Sequence, residues 1–257
     1  AIITNNFVPC NGRFPILISI SSIFIGGLVS SQFSSLVATL TILGSVLIGI
    51  AVTLAVSKFL SATILKGIPS SFTLELPPYR RPQLGRVIVR SIFDRTLFVL
   101  GRAIAVAAPA GLIIWTMTNV HIGGASILDI SANFLDPFAR AIGMDGYILM
   151  AFVLGFPANE IVIPILIMGY TRAGMLVDME NLDALKNLFL LNGWNFLTAI
   201  CVMVFTLLHF PCGTTMLTIK KETGSNKWTF LALIIPTIVG IGLCFIITQI
   251  FRLFGLA

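Results

Sequence analysis

Three short interruptions of otherwise apolar sequence carry the residues that could do chemistry: Val8-Pro9-Cys10, Phe156-Pro157-Ala158 followed by Asn159 and Glu160, and Phe210-Pro211-Cys212. A thiolate is a soft ligand that selects Fe(II), Zn or Cu(I) over Mg or Ca. Cys10, Cys212 and Glu160, with Asn159 or His209 in support, would make a sulfur-and-oxygen site for a transition metal. His209 stands three residues from Cys212 and fits a place behind the ligands, or in the packing, better than one among them. The plainer reading is that each cysteine fills a small gap beside a proline break. Glu160 lies in the apolar run 148–170, where a carboxylate at bilayer depth costs roughly 2.5–3.5 kcal/mol. It must therefore face protein, water or an ion, and the sequence predicts that it faces the bundle interior. The two Pro-Cys sites sit near opposite ends of the chain, a placement that suits two related elements facing each other, as in inverted repeats.

Other chemistries fit less well. A P-loop needs Gly-Lys-Ser/Thr, and none of the six lysines follows a glycine. A membrane-embedded enzyme using Cys212 as nucleophile and His209 as base would need an orienting acid, and none is adjacent in sequence. The four cysteines have no zinc-module spacing. Cys201 and Cys244 lie inside apolar runs, where a thiol behaves as a small hydrophobe. A carrier of nucleosides or other organic solutes would need stacking aromatics and several amides in its core.

The elements that must position these residues are membrane helices. Of 257 residues, 57% are hydrophobic and 10% charged, with mean hydropathy +1.02; soluble domains carry about 25% charged residues. The expected fold is an all-α, polytopic transmembrane bundle with about six hydrophobic segments: 14–30, 33–57, 102–118, 147–170, 191–208 and 228–251. Pro157 and Pro164 break or re-enter the fourth. Region 58–102 holds eight cations against Glu75 and Asp94, which makes it cytoplasmic. Within it Pro77-Pro78 imposes an extended strap, and 84–100 reads as an amphipathic helix lying in the interface and leading into the next span. Residues 119–136 lack Lys and Arg and read as an outward loop with His121 exposed; 178–186 reads as a short polar helix. Gly240 and Gly242 would let another helix approach the last span. The net charge of +6 is the usual excess of cytoplasmic cations and no nucleic-acid footprint. If Arg13, the 58–102 loop and Lys220, Lys221 and Lys227 are all cytoplasmic, the number of crossings between 119 and 220 is odd, so 147–170 or 192–217 returns to the side it left; the alternative is a plain six-span bundle with the three lysines outside. The opening AIITNNFVPC lacks Met and starts within a motif, as a piece of a longer protein would.

VPCNGRFP at 8–15, LELPPYRRP at 74–82, GFPANEI at 155–161 and HFPCGTT with IKKETG between 209 and 224 closely resemble the FeoB family of bacterial ferrous-iron transporters, specifically its C-terminal membrane half. The resemblance implies a first helix pair and cytoplasmic strap over 1–82, then a Gate-type domain over 83–257 related to nucleoside-transporter gates. It implies a multi-pass protein of the bacterial cytoplasmic membrane that moves Fe2+ as its substrate. The family's Pro-Cys motifs are proposed to line the pore, which carries over to Cys10 and Cys212. GTP would act only through a G domain absent from this chain. The implied partners are the lipid bilayer and the rest of the transporter, with room for a small cytosolic accessory protein and a homo-oligomer.

Overall fold

The computed structural model describes residues 4–29, 31–63, 83–176, 179 and 181–255. The strap at 74–82 lies outside the described residues. The fold is the expected all-α bundle; among the described residues the only strands are His121–Ile122 (β1) and Ala125–Ser126 (β2), a two-stranded hairpin. The helices are α1 (Phe14–Ile20), α2 (Ser31–Thr63), α3 (Leu84–Arg90), α4 (Phe98–Asn119), α5 (Ile127–Ala141), α6 (Gly146–Leu154), α7 (Val162–Thr171), α8 (Leu182–Leu191), α9 (Phe196–Leu208), α10 (Gly213–Thr223) and α11 (Asn226–Leu253). Five runs among the described residues are long and apolar enough to cross a bilayer: 5–25, 32–63, 99–119, 196–223 and 226–253.

The centre of the bundle is α9, buried along most of its length and flanked by α1 and α11, both antiparallel to it. Arg13, just before α1, meets the end of α9, while Phe24 stacks on Trp194 at its start with centroids 5.7 Å apart. On the other flank Gly240 sits against Leu208; a Cβ there would lie 3.3 Å from the Leu208 backbone, so the glycine is what lets α11 approach. Gly242 has open space around it and plays no such part. Cys201 and Cys244 are buried at this same seam, with Cys244 Sγ donating to Cys201 O over 3.4 Å. They pack as small hydrophobes, as expected.

Residues 120–174 form a return excursion. The helix pair α5 and α6 bends by 109° at its junction. Helix α7 then runs back along α6, because Tyr170 near its end donates to the carboxylate of Asp145 at the start of α6 and accepts from Trp194 Nε1 at 2.8 Å. Beyond α7 the chain returns to its starting point: Asn119 Nδ2 donates to Gly174 O at 3.0 Å. At 1.5 Å per residue the nine- and ten-residue helices are about 14–15 Å long, half of a ~30 Å hydrocarbon core. Segment 147–170 is thus no single span but a helical hairpin with its tip at 155–161. Of the two prolines, Pro157 sits in the tip, while Pro164 occupies the first turn of α7, where its missing N–H has no intrahelical partner to lose.

Two other expectations are corrected. Residues 119–136 are not one outward loop: after the hairpin, α5 starts at 127 with a capping box in which Asp129 N donates to Ser126 Oγ at 3.0 Å. The Ser-x-x-Asp signature was present in the sequence, but the charges masked it. His121 is exposed, as read. The short polar helix starts at Leu182, not 178, because Asn181 caps it. The amphipathic stretch 84–100 leads into the next span, as expected, continuing from α3 through a π-helical stretch, Ser91–Leu97, into α4. Val87, Ile88, Ile92 and Phe93 stay exposed along it.

Candidate functional site

The three interruptions share a local geometry. In each, the residue after the proline is extended and starts the next helix. Cys10 (φ −88°, ψ 169°) precedes a 3-10 turn, Asn11–Arg13, that leads into α1. Ala158 (φ −152°, ψ 118°) precedes a 3-10 turn, Asn159–Ile161, before α7, and Cys212 (φ −65°, ψ 160°) starts α10. Tertiary packing brings all three breaks together. A Cβ at Gly12 would lie 3.2 Å from Glu160 Cγ, so the first turn rests on the hairpin tip. Gly213 N donates to Phe156 O at 2.7 Å, tying the tip to the start of α10.

Their meeting point is a cavity of about 290 Å³ whose wall includes Cys10, Arg13, Asn159, Cys212, Thr215 and Glu222. Cys10 and Cys212 therefore face one space. Cys10 Sγ is 4.0 Å from the Asn159 amide, and Cys212 Sγ is 3.1 and 3.2 Å from the hydroxyls of Thr214 and Thr215.

His209 is fully buried, and its role follows from its partners. Nδ1 lies 2.9 Å from Phe205 O and 3.0 Å from Thr206 O. Both are acceptors, so Nδ1 carries the ring proton and Nε2 of the neutral ring offers a lone pair. Asn159 Oδ1 stands 3.3 Å from Nε2, with Nδ2 on the Cys10 side. Two acceptors facing each other do not pair, so the arrangement that satisfies both groups is the amide turned by 180°, its N–H donating to Nε2 and its oxygen toward Cys10 and the cavity. His209 thus positions Asn159 and has no lone pair left for an ion.

Glu160 departs from its expected place. It is exposed and outside the cavity wall, whereas its neighbour Asn159 is buried. In a 3-10 turn successive residues point about 120° apart, so the turn that aims Asn159 inward aims Glu160 away. Among the described residues, no group of three or more His, Cys, Asp and Glu side chains is placed to hold a metal ion.

Arg13 was read from the sequence only as a topology marker, yet it joins the site together. The side chain is 1% exposed. Nη1 donates to Asn6 O at 2.6 Å and Leu207 O at 2.9 Å; Nη2 donates to Asn6 Oδ1, His209 O and Phe210 O, each at 3.2 Å. Asn6 Nδ2 donates to His209 O as well, at 2.6 Å. The last carbonyls of a helix lack intrahelical donors, and at the end of α9 a guanidinium supplies them from almost 200 positions away. The one clue in the sequence is an arginine three residues after Pro-Cys, at the start of an apolar run with no acid nearby.

Comparison with known proteins agrees with this architecture. The family model described as "Ferrous iron transport protein B C terminus" matches residues 42–94, and the Gate model, described as "Nucleoside recognition", matches residues 100–226. A protein named Fe(2+) transporter FeoB from Staphylococcus aureus (strain MSSA476) is 29% identical over 256 residues, covering 96% of this chain and 36% of the relative. Proteins of the same name from Leptospira interrogans and Methanocaldococcus jannaschii are 24% and 25% identical over 99% and 97% of this chain. The chain spans 36–39% of the length of these relatives. No solved structure matches it. Both family models, the relatives and the multi-span helical fold agree: the chain is a multi-pass membrane protein that belongs to the FeoB family, as its C-terminal transmembrane half.

Proposed function

We propose that this chain forms the ion path of a ferrous-iron importer, with Fe2+ as its cargo. The observation that carries the reading is that Cys10 and Cys212, 202 positions apart, line one cavity with Asn159. Two thiols and one amide oxygen suit a borderline ion such as Fe(II). They make a loose site, as conduction requires: an ion must enter readily and also leave. In this reading Cys10, Cys212 and Asn159 contact the ion, His209 holds Asn159, and Glu160 guards the approach beside Gly12. The chain carries out transport and no bond chemistry. GTP acts through a G domain in the rest of the transporter, with a small cytosolic accessory protein and a homo-oligomer as further partners. The organisation is a helix pair and strap over 1–82 followed by the Gate-type unit over 83–257.

The test is Fe(II), Zn(II) and Mn(II) uptake into proteoliposomes holding the full-length transporter. Cys10→Ser and Cys212→Ser should each reduce Fe(II) uptake, with little further loss in the double variant, because residues acting on one ion are not additive. Normal uptake in both single variants would overturn the reading. A nucleoside cargo, suggested by the description of the Gate model, fits less well: no Phe, Tyr or Trp lines the cavity, so a base would have no ring to stack on.

A further inference from the structure

The cavity does not end at the thiols. Besides Cys212, the residues of α10 in its wall are Thr215, Thr218, Ile219 and Glu222. At 100° per residue these positions fall within an arc of about 120°, so they form one face of the helix. Lys220 and Lys221 fall outside that arc. Glu222 is the one carboxylate in the wall and has no ion pair among the described residues. Ten residues of helix separate it from Cys212, about 15 Å, or half the thickness of a hydrocarbon core.

We propose that this face of α10 is the release track for the ion, with Glu222 its last protein ligand. The inference rests on reading the cavity as an ion path. Ligand character changes along the wall from sulfur at Cys10 and Cys212, through the hydroxyls of Thr215 and Thr218, to a carboxylate. Oxygen ligands hold a borderline ion less tightly than thiolates and resemble the water that replaces them. Charge changes in the same direction. Arg13 is fixed at the thiol end by its hydrogen bonds to carbonyls and repels a cation there, while Glu222 attracts one at the other end. An ion leaving the sulfurs therefore moves down both gradients, toward the end of the bundle that carries Lys220 and Lys221.

Two measurements on the full-length transporter test this. Glu222→Gln should lower the maximal Fe(II) uptake rate about tenfold, the lower end of what a focused charge contributes to ion flux. The half-saturating concentration should stay unchanged, Glu222→Asp should restore the rate, and Glu222→Lys should abolish uptake. Cd2+, a soft probe ion, should slow maleimide labelling of Thr218→Cys and Glu222→Cys but not of Lys221→Cys. Wild-type uptake in both Glu222→Gln and Glu222→Lys while Cys212→Ser is inactive would overturn the track and leave the thiol site standing. Equal effects of Cd2+ at all three labelled positions would overturn it too. Wild-type uptake in Cys10→Ser and Cys212→Ser is the separate result that removes the ion path itself.

Discussion

Arg13 binds the two cysteine-bearing breaks into one site. Its guanidinium is buried and serves carbonyls at 207, 209 and 210, and hydrogen bonds to charged groups contribute about 1.5–3 kcal/mol each. Arg13→Met should therefore lower unfolding stability by about 3 kcal/mol or more, measured by thermal denaturation in detergent. It should also abolish cross-linking of Cys10 to Cys212 by a short bifunctional thiol reagent. Arg13→Lys keeps the charge but loses the planar fork and should recover only part of both. Unchanged cross-linking in Arg13→Met would remove the clamp. Cys201 and Cys244 are the internal control: buried at the α9–α11 seam, their serine variants should lower stability by about 1–3 kcal/mol and leave Fe(II) uptake near normal.

The decisive element is the hairpin of α6 and α7. Each arm is about half as long as a hydrocarbon core is thick, and the excursion closes on itself where Asn119 meets Gly174. The α9–α10 run, long enough at 28 residues to cross, is then the one expected to supply the single net crossing between 119 and 220. Cysteines introduced at Thr118 and Ser225 should accordingly label from opposite sides of the membrane; labelling from one side would refute the re-entrant hairpin. The contact of α9 with α11 gives a second test. Gly240→Leu drives a side chain into the Leu208 backbone, and overpacking of this kind costs about 1–3 kcal/mol. Gly242→Ala meets open space and should be tolerated, as a comparison of melting temperatures would show.

Across the whole molecule, what the sequence by itself determined was the solvent and the chemistry. Apolar content this high and charge this sparse leave only a membrane bundle, since a bilayer requires helices that satisfy their own backbone. The prolines located the breaks, because a missing N–H and a steric clash act on the chain locally wherever they stand. The soft ligands were legible for the same reason: a thiol is a thiol in any fold. Orientation was not legible. That Asn159 faces the cavity and Glu160 does not depends on the pitch of one 3-10 turn, which hydropathy does not encode. Arg13 looked like an ordinary loop cation because its partners are backbone carbonyls nearly 200 residues away, which carry no residue-type signal. The choice between 147–170 and 192–217 as the returning segment was likewise open, since both are apolar and proline-broken. Tertiary structure decided it through Tyr170 on Asp145 and Asn119 on Gly174, because only contacts between distant positions say where a chain that enters a membrane comes back.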